Sequence, residues 1–263
     1  MTEIELRIYK DRDALSRAAA EEFISRATEA IAARNRFTVA LAGGETPRTL
    51  YNLLASADKR DRVDWTRTHV FWGDERCVSP DDEESNYRMA QTALLSKVSI
   101  PPKNVHRIEA EREDKAASDY EDELQKFFES NDGEAPRFDL VLLGMGADGH
   151  TASLFPGSSA VEERRRLVVT TRSAASPTNR ITLTLPVLNN ALSCMFLVSG
   201  KEKAGVLQAI FAAEQAQETN FPAQLVNPNQ GRLLWLVDEA AAGFLKDEKS
   251  SPRLASIKRC GSV

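Results

Sequence analysis

The sequence predicts an α/β fold with a mainly parallel sheet. Short, almost wholly apolar segments alternate with amphipathic segments, which is the pattern of buried parallel strands connected by helices. Four apolar segments end in a glycine-rich or charged turn, as strands do at the ligand-binding edge of such a sheet. Because no internal repeat, low-complexity linker or domain boundary interrupts the chain, we expect residues 1–263 to form a single domain.

Three strands and a long helix are predicted in the first third of the chain. Residues 4–9, IELRIY, alternate in polarity as a half-buried strand does. Apolar residues recur every four positions from Leu15 to Ile31, which predicts a helix with one buried face. Residues 37–42, FTVALA, and residues 68–72, THVFW, are short apolar runs typical of buried strands.

Capping residues predict where the next helices begin. Thr46 is expected to cap a helix that has Pro47 at its first position and ends near Ser56. Ser85 is expected to cap a second helix. A polar helix is predicted from about Glu113 to Ser130.

The second half of the chain continues the alternation. Residues 138–143, FDLVLL, form an apolar run that ends in a turn containing Gly144, Gly146 and Gly149. Further strands are predicted at residues 167–171, 180–185, 194–198 and 233–237, with helices at residues 201–213 and, opened by Asp238, after the last strand.

Composition narrows the class of protein. The 263 residues are 42% hydrophobic and 28% charged, which is ordinary for a globular protein. The net charge of -5 and the absence of a Lys/Arg block argue against nucleic acid as a partner. No apolar run approaches the roughly 20 residues that span a bilayer, and the N-terminus lacks an apolar signal-peptide core. We therefore expect no membrane partner and a cytoplasmic protein.

The cysteines and histidines do not predict a metal or disulfide site. The three cysteines, Cys77, Cys194 and Cys260, are far apart and form no CxxC pair. The three histidines share no ligand-like spacing, and zinc sites usually use clustered His and Cys ligands. We expect no metal.

Four polar clusters follow predicted strands. They are Gly43–Thr46, Asp74–Arg76, Asp148–His150 and Gly200–Lys203. Because the carboxyl ends of parallel strands share one edge of the sheet, these distant segments are expected to line a single crevice. This coincidence predicts a binding or catalytic site.

The GGETP turn at residues 43–47 is suited to an anion. Gly43 and Gly44 allow close approach, and the N–H groups and dipole of the following helix favour phosphate. The turn could equally be a tight connection with no ligand, because it matches neither a P-loop nor a dinucleotide fingerprint. Lys203, with Lys201 nearby, could complete a phosphate pocket or remain a solvated surface lysine.

Charged residues at two other strand ends have similar alternatives. Asp74, Glu75 and Arg76 could place an arginine fork on a phosphate or carbonyl, with a carboxylate holding it, or could form a surface ion pair of little consequence. Arg172 and Arg180 could point to the same edge or to water.

His150 is the candidate general base. It lies among three glycines, with Asp148 available to orient it or to bind sugar hydroxyls. The alternative is a histidine that only caps a turn. A covalent acyl-enzyme is not indicated, because no Ser or Cys occupies a GxSxG nucleophile elbow.

Together these motifs resemble the 6-phosphogluconolactonase family. They occur in family order from about residue 37 to about residue 237, and GADGHTASLFPG is the most specific of them. The matching motifs are GGETP at 43–47, GDER at 73–76, SNY at 85–87, LGMGADGHTASLFPG at 143–157, RITLTLP at 180–186 and SGKEKA at 199–204.

The resemblance implies a function and a fold. The implied reaction is hydrolysis of 6-phospho-D-glucono-1,5-lactone to 6-phosphogluconate in the oxidative pentose phosphate pathway, without metal or organic cofactor. The implied fold is a Rossmann-like three-layer α/β sandwich shared with glucosamine-6-phosphate deaminases and ribose-5-phosphate isomerases. The partner is then a small sugar-phosphate lactone, and the protein is expected to be a monomer or a weak homo-oligomer.

The resemblance also implies roles for residues. His150 is expected to activate water, with Asp148 beside it and Arg76 assisting catalysis. Contacts with the substrate or its phosphate are expected from Gly43, Gly44, Thr46, Asp74, Arg76, Arg180 and Lys203.

Two other functions fit the same motifs. The deaminase branch shares the glycine turn and the DGH element but has a carboxylate five residues after the histidine, where this chain has Phe155. Ring opening and proton transfer need that carboxylate and lactone hydrolysis does not, so Phe155 favours the lactonase. A catalytically silent sugar-phosphate-binding protein is the other alternative, and the presence of His150, Asp148 and Arg76 argues against it.

Overall fold

A parallel seven-stranded sheet forms the centre of the protein. The computed structural model describes residues 4–131, 134–173, 177–212, 221–245 and 256–260. The strands are β1 Ile4–Tyr9, β2 Phe37–Leu41, β3 Thr68–Trp72, β4 Asp74–Arg76, β5 Leu140–Leu143, β6 Val168–Arg172, β7 Asn179–Leu183, β8 Ser193–Val198, β9 Arg232–Asp238 and β10 Ser256–Arg259. The helices are α1 Arg12–Arg34, α2 Glu45–Leu54, α3 Asn86–Ala93, α4 Ala116–Phe128, α5 Ser159–Glu162, α6 Leu185–Asn190, α7 Ala204–Ala212 and α8 Pro222–Leu225.

The order of the strands creates a crevice in the sheet. The order is β10-β1-β9-β8-β5-β2-β3, so the chain runs outward from β2 to β3 and then continues on the other side of β2 with β5, β8 and β9. A crevice opens at the carboxyl ends of the strands where the winding direction changes, here between β2 and β5. The predicted α/β class with a mainly parallel sheet is confirmed.

A second, antiparallel sheet lies next to the first, with the order β4-β7-β6. Its pairing sets Asp74 opposite Thr182 and Arg76 opposite Arg180. The Asp74–Arg76 cluster was predicted only as a polar turn, and it is a strand because the antiparallel β7 supplies its backbone partners. The RITLTL segment is a strand as predicted, but it belongs to this small sheet.

Helix α1 buries the stripe that the sequence predicts. Leu15 and Phe23 are fully buried, whereas Ile31 is partly buried at the edge of the core. The Asp11 carboxylate accepts a hydrogen bond from the Ala14 backbone N–H at 2.8 Å and so caps the first turn. Among the described residues, no helix is long and apolar enough to cross a membrane.

The predicted start of helix α2 is wrong. Helix α2 begins at Glu45 with Gly44 as its N-cap, rather than with Thr46 as the cap and Pro47 in the first position. Gly44 has a φ of 102°, so the glycine itself turns the chain into the helix and no side-chain cap is used.

The helix predicted after Asp238 is only a series of turns. There the Asp238 side chain accepts a hydrogen bond from the Ala241 backbone N–H at 2.7 Å, and its remaining bonds go to another loop. Helix α7 follows a 3-10 turn at Lys201–Lys203, and Ala213 at its predicted end lies outside the described residues.

Candidate active site

The four predicted polar clusters meet at one pocket at the carboxyl ends of β2, β3, β5 and β8. The pocket has a volume of about 230 Å³. Its floor and rim include the Gly43–Gly44 turn and the Gly144–Gly146 turn on the two sides of the crevice between β2 and β5. The polar side chains that line it are those of Asp74, Arg76, Asn86, His150, Arg180 and Lys203.

His150 and Asp148 form a hydrogen-bonded pair at the end of β5. The His150 Nδ1 atom lies 2.5 Å from an Asp148 carboxylate oxygen, and that same oxygen accepts the His150 backbone N–H at 3.2 Å. Partial burial alone would raise the pKa of Asp148, but the two hydrogen bonds and the nearby imidazole outweigh burial and lower it. Asp148 is therefore ionised near neutral pH, and it favours the tautomer with the proton on Nδ1.

Backbone geometry holds the histidine loop in place. A Cβ atom at Gly146 would lie 2.1 Å from His150 Nδ1, so this position has room only for glycine. The Thr151 hydroxyl donates to the Gly144 carbonyl at 2.9 Å, and Ala152 has a φ of 47° in the left-handed region. Such conformations are common at functional sites, where the surrounding contacts maintain them.

Arg76 and Arg180 face one another across the small antiparallel sheet and line the same pocket. Within the described part of the chain, the Nε atoms of both residues are buried without a hydrogen-bond partner, while Arg76 donates through Nη1 to the Glu84 carbonyl. Burial and the charge of Arg76 lower the pKa of Arg180. Two adjacent guanidiniums with unused donors favour an anion or a polarised oxygen between them.

Asp74 and Asn86 build the wall beside these arginines. One Asp74 carboxylate oxygen accepts the Ser153 hydroxyl at 2.6 Å, and the Asn86 side-chain amide donates to the Asp74 carbonyl at 2.9 Å. Asp74 was predicted as a site residue, whereas the roles of Asn86 and Ser153 were missed. The SNY and TASLFPG motifs contained both residues, but only the fold brings their side chains to Asp74.

The Gly43–Gly44 turn lies directly against Asn86. A Cβ atom at Gly43 would lie 2.0 Å from Asn86 Oδ1. Thr46 is in the first turn of α2 and does not line the pocket, so its predicted contact would be made through the backbone of the helix start.

Lys203 reaches the pocket from the turn after β8. Its side chain is 19% exposed, and its nearest described carboxylate is that of Glu202 at 3.9 Å. The turn is anchored because Asp238 accepts the Ser199 hydroxyl at 2.5 Å and the Gly200 backbone N–H at 3.2 Å. Lys201 does not line the pocket.

The remaining candidates are not placed at the pocket. Arg172 in β6 does not line it. Among the residues that the structure describes, no group of three or more His, Cys, Asp or Glu side chains is arranged to hold a metal ion.

Comparison with known proteins identifies the family. A family model described as glucosamine-6-phosphate isomerases/6-phosphogluconolactonase matches residues 10–235. The chain belongs to this glucosamine isomerase/lactonase family. A 6-phosphogluconolactonase from Nostoc sp. is 42% identical over 240 residues, which cover 90% of this chain and 97% of the relative. One from Synechocystis sp. is 45% identical over 224 residues, covering 84% and 90%.

Solved structures of the family share the fold. A 6-phosphogluconolactonase from Trypanosoma cruzi aligns with a TM-score of 0.82 at 30% identity, covering 94% of this chain and 99% of that one. A monomeric glucosamine-6-phosphate deaminase aligns with a TM-score of 0.72 at 21% identity, covering 92% and 99%, which shows a common fold only. The Rossmann-like α/β sandwich implied by the motifs is confirmed.

Phe155 lies between two pocket residues of this family member. Its ring centroid is 4.9 Å from that of His150, and the Arg180 guanidinium carbon lies 5.8 Å from it in a cation–π contact. Phe155, the residue expected to separate this chain from the deaminase branch, thus lies beside the candidate base.

Proposed function

We propose that this protein hydrolyses 6-phospho-D-glucono-1,5-lactone to 6-phosphogluconate in the oxidative pentose phosphate pathway, without metal or organic cofactor. The observation that carries the proposal is that His150, which is paired with Asp148 outside the pocket lining, lines the same pocket as Arg76, Arg180 and Lys203. The pair supplies a base, and the three cations suit a substrate with a phosphate and a carbonyl that becomes an oxyanion. The names of the Nostoc and Synechocystis relatives support the same reaction.

In the proposed mechanism, water attacks the lactone carbonyl in a single displacement. With its Nδ1 proton directed to Asp148, neutral His150 has a lone pair on Nε2 that accepts a proton from the attacking water. Asp148 then stabilises the imidazolium that forms. His150 returns the proton to the ring oxygen as the C1–O bond breaks, which yields the free acid and regenerates the base.

Each charged group is assigned to one part of the substrate. We assign the developing oxyanion to Arg76, with Arg180 opposite it in the strand pairing and linked to the His150 side of the pocket through Phe155. We assign the phosphate to the Gly43–Thr46 turn at the start of α2 and to Lys203. Asp74 is assigned to the sugar hydroxyls.

The decisive experiment is a coupled assay. The lactone is generated in situ and acid release is followed against its spontaneous opening, and glucosamine-6-phosphate is then offered in a test for ammonia. Acid release well above background supports the lactonase, whereas ammonia would support a deaminase. The absence of both would support a silent sugar-phosphate-binding protein.

Substitution of His150 tests its role in the same assay. His150→Ala is expected to lower kcat by about 10² or more, the contribution typical of general-base catalysis. Nearly full activity in this variant would exclude His150 as the base.

Lys203 is tested with a matched lysine as control. Lys203→Ala is expected to raise KM and to reduce the preference for phosphorylated over unphosphorylated gluconolactone. Lys201→Ala removes a lysine from the same turn that does not line the pocket, and it is expected to keep that preference. Equal behaviour of the two variants would remove Lys203 from the phosphate site.

Two further features belong to the proposal. They are a cytoplasmic location and a monomeric or weakly homo-oligomeric state, and sedimentation of the purified chain tests the second.

A further inference from the structure

Glu75 is a buried carboxylate beside the pocket that the proposed mechanism does not use. It is the middle residue of β4 and is 3% exposed. Side chains alternate along a strand, so Glu75 points away from the pocket while its neighbours Asp74 and Arg76 line it. A buried carboxylate between two pocket residues needs partners that stabilise it.

Three of its four partners lie at the start of helix α3, and the fourth is the N–H of its neighbour Arg76. One Glu75 oxygen accepts the backbone N–H groups of Asn86 and Arg76, both at 2.8 Å. The other accepts the Tyr87 N–H at 2.7 Å and the Ser85 hydroxyl at 3.1 Å. The carboxylate thus accepts hydrogen bonds from the first two N–H groups of the helix. Glu75 does so from strand β4, 11 residues before Asn86 in the sequence. Its negative charge also suits the helix N-terminus.

The first residue of this helix is part of the pocket wall. The Asn86 side chain donates to the Asp74 carbonyl at 2.9 Å, and its Oδ1 atom lies where it would meet a Cβ at Gly43. The distance between β4 and α3 therefore decides where the Asn86 amide stands relative to Gly43 and Arg76.

We propose that Glu75 is a positioning residue whose carboxylate joins β4 to the start of α3 and so places Asn86 and Arg76 for the substrate. The inference rests on the proposed function for its kinetic part only. Glu75 does not touch the substrate, and it acts through the Asn86 and Arg76 backbone.

Glu75→Gln is the direct test because it keeps the size of the side chain. The amide nitrogen of glutamine cannot accept a hydrogen bond, so two of the four donors around the carboxylate lose their acceptor. The helix start is expected to shift, and kcat/KM for the lactone is expected to fall at least about tenfold, because small displacements of positioning groups are costly to catalysis.

Ser85→Ala is the matched control for a purely structural effect. Ser85 is the N-cap of the same helix. Its hydroxyl accepts the Arg88 backbone N–H at 3.1 Å and donates to the Glu75 carboxylate at 3.1 Å. Its removal takes away the cap and one of the four donors to Glu75, which should lower the unfolding temperature, but it leaves the bonds from the Asn86 and Tyr87 backbone N–H groups to Glu75 intact. We expect Ser85→Ala to be less stable than the wild type and to keep kcat/KM within about twofold. Glu75→Gln should lose activity even when both variants are assayed far below their unfolding temperatures.

Amide hydrogen exchange gives a readout that does not need activity. In Glu75→Gln one of the two N–H groups, that of Asn86 or that of Tyr87, faces the amide nitrogen and should exchange faster. In Ser85→Ala both should remain protected. If the wild type hydrolyses no lactone, the proposed function fails and the exchange result alone decides the role of Glu75.

Two results would overturn the proposal. One is unchanged exchange at Asn86 and Tyr87 in Glu75→Gln. The other is a kcat/KM that falls equally in Glu75→Gln and Ser85→Ala. If Glu75→Gln does not fold, Glu75→Asp replaces it, because it keeps the charge but withdraws the carboxylate by one methylene. In that case faster exchange with reduced kcat/KM supports the proposal, and values equal to those of Ser85→Ala reject it.

Discussion

Gly43→Ala is expected to disrupt the pocket through a single methyl group. The new Cβ atom would lie 2.0 Å from Asn86 Oδ1 and 2.6 Å from Asn86 Cγ. Carbon and oxygen atoms in contact need about 3.5 Å, so the amide has to retreat by about 1.5 Å. The backbone of Asn86 cannot move freely with it, since its N–H is held by Glu75 at 2.8 Å.

The cost follows from the hydrogen bond that this retreat breaks. The Asn86 amide donates to the Asp74 carbonyl at 2.9 Å, and a displacement of that size takes the two atoms out of hydrogen-bonding distance. Leaving a buried polar group unsatisfied costs about 1–3 kcal/mol, and an amide that stayed in place instead would incur a similar cost from overpacking. We therefore expect Gly43→Ala to lower the free energy of unfolding by about 1–3 kcal/mol.

Urea unfolding and lactone hydrolysis measure the two consequences. Gly205→Ala is the control, because Gly205 lies in helix α7 and a Cβ atom there would meet no neighbouring group within 4 Å. That variant is expected to gain about 0.5–1 kcal/mol from helix propensity. Gly43→Ala should also lower kcat/KM by displacing the pocket wall. A Gly43→Ala protein as stable and as active as the wild type would show that the Gly43–Asn86 contact does not hold the pocket wall in place.

Two further predictions concern stability. Burial and the neighbouring His106 lower the pKa of His69 from 6.5 to about 4. Between pH 6.5 and about pH 4 the unfolded chain binds a proton at His69 and the folded protein does not. The contribution of His69 to the free energy of unfolding should therefore be fully present above pH 6.5 and should be lost as the pH falls towards 4. His69→Phe should reduce the difference between urea midpoints measured at about pH 7.5 and about pH 5. Tyr51→Phe should cost about 1–3 kcal/mol in the same unfolding assay, since its buried hydroxyl bonds both the N–H and the carbonyl of Ala42, at 3.0 and 2.8 Å. An unchanged difference between the two midpoints in His69→Phe, or an unchanged midpoint in Tyr51→Phe, would contradict the corresponding prediction.

Most strands of the main sheet could be predicted, either from short apolar runs or, for β1, from alternating polarity. Strand β10 was not predicted, because the segment Ser256–Arg259 has neither pattern. Residues 37–42 and 138–143 are buried on both faces of the sheet, and this burial leaves a continuous hydrophobic run that needs no knowledge of neighbours. Strand β4 could not be predicted in this way. Its three residues are all charged, and it is a strand only because β7 pairs with it.

Helix starts were harder to predict where no capping side chain marks them. Ser85 caps α3 as predicted, because a serine hydroxyl can reach the N–H groups of its own first turn. Thr46 was the wrong cap for α2, since Gly44 turns the chain without a side chain. Asp238 was expected to open a helix, but its carboxylate instead joins two loops.

The strand ends that supply the candidate site could be predicted from the sequence. Glycines and charged residues directly after apolar runs predicted the four clusters, because parallel strands carry their carboxyl ends to one edge. The GADGHTASLFPG motif, at residues 146–157, also indicated the family to which the chain belongs.

The contacts between side chains within the site could not be predicted from the sequence, because they depend on the packing of distant elements. The bonds from Glu75 to Asn86 and from Ser153 to Asp74 join residues 11 and 79 positions apart in the chain. No local pattern encodes such pairs, because their geometry depends on how β4, α3 and the loop after β5 pack together. The wall of the pocket is therefore a product of the fold, whereas the position of His150 at a strand end was already evident in the sequence.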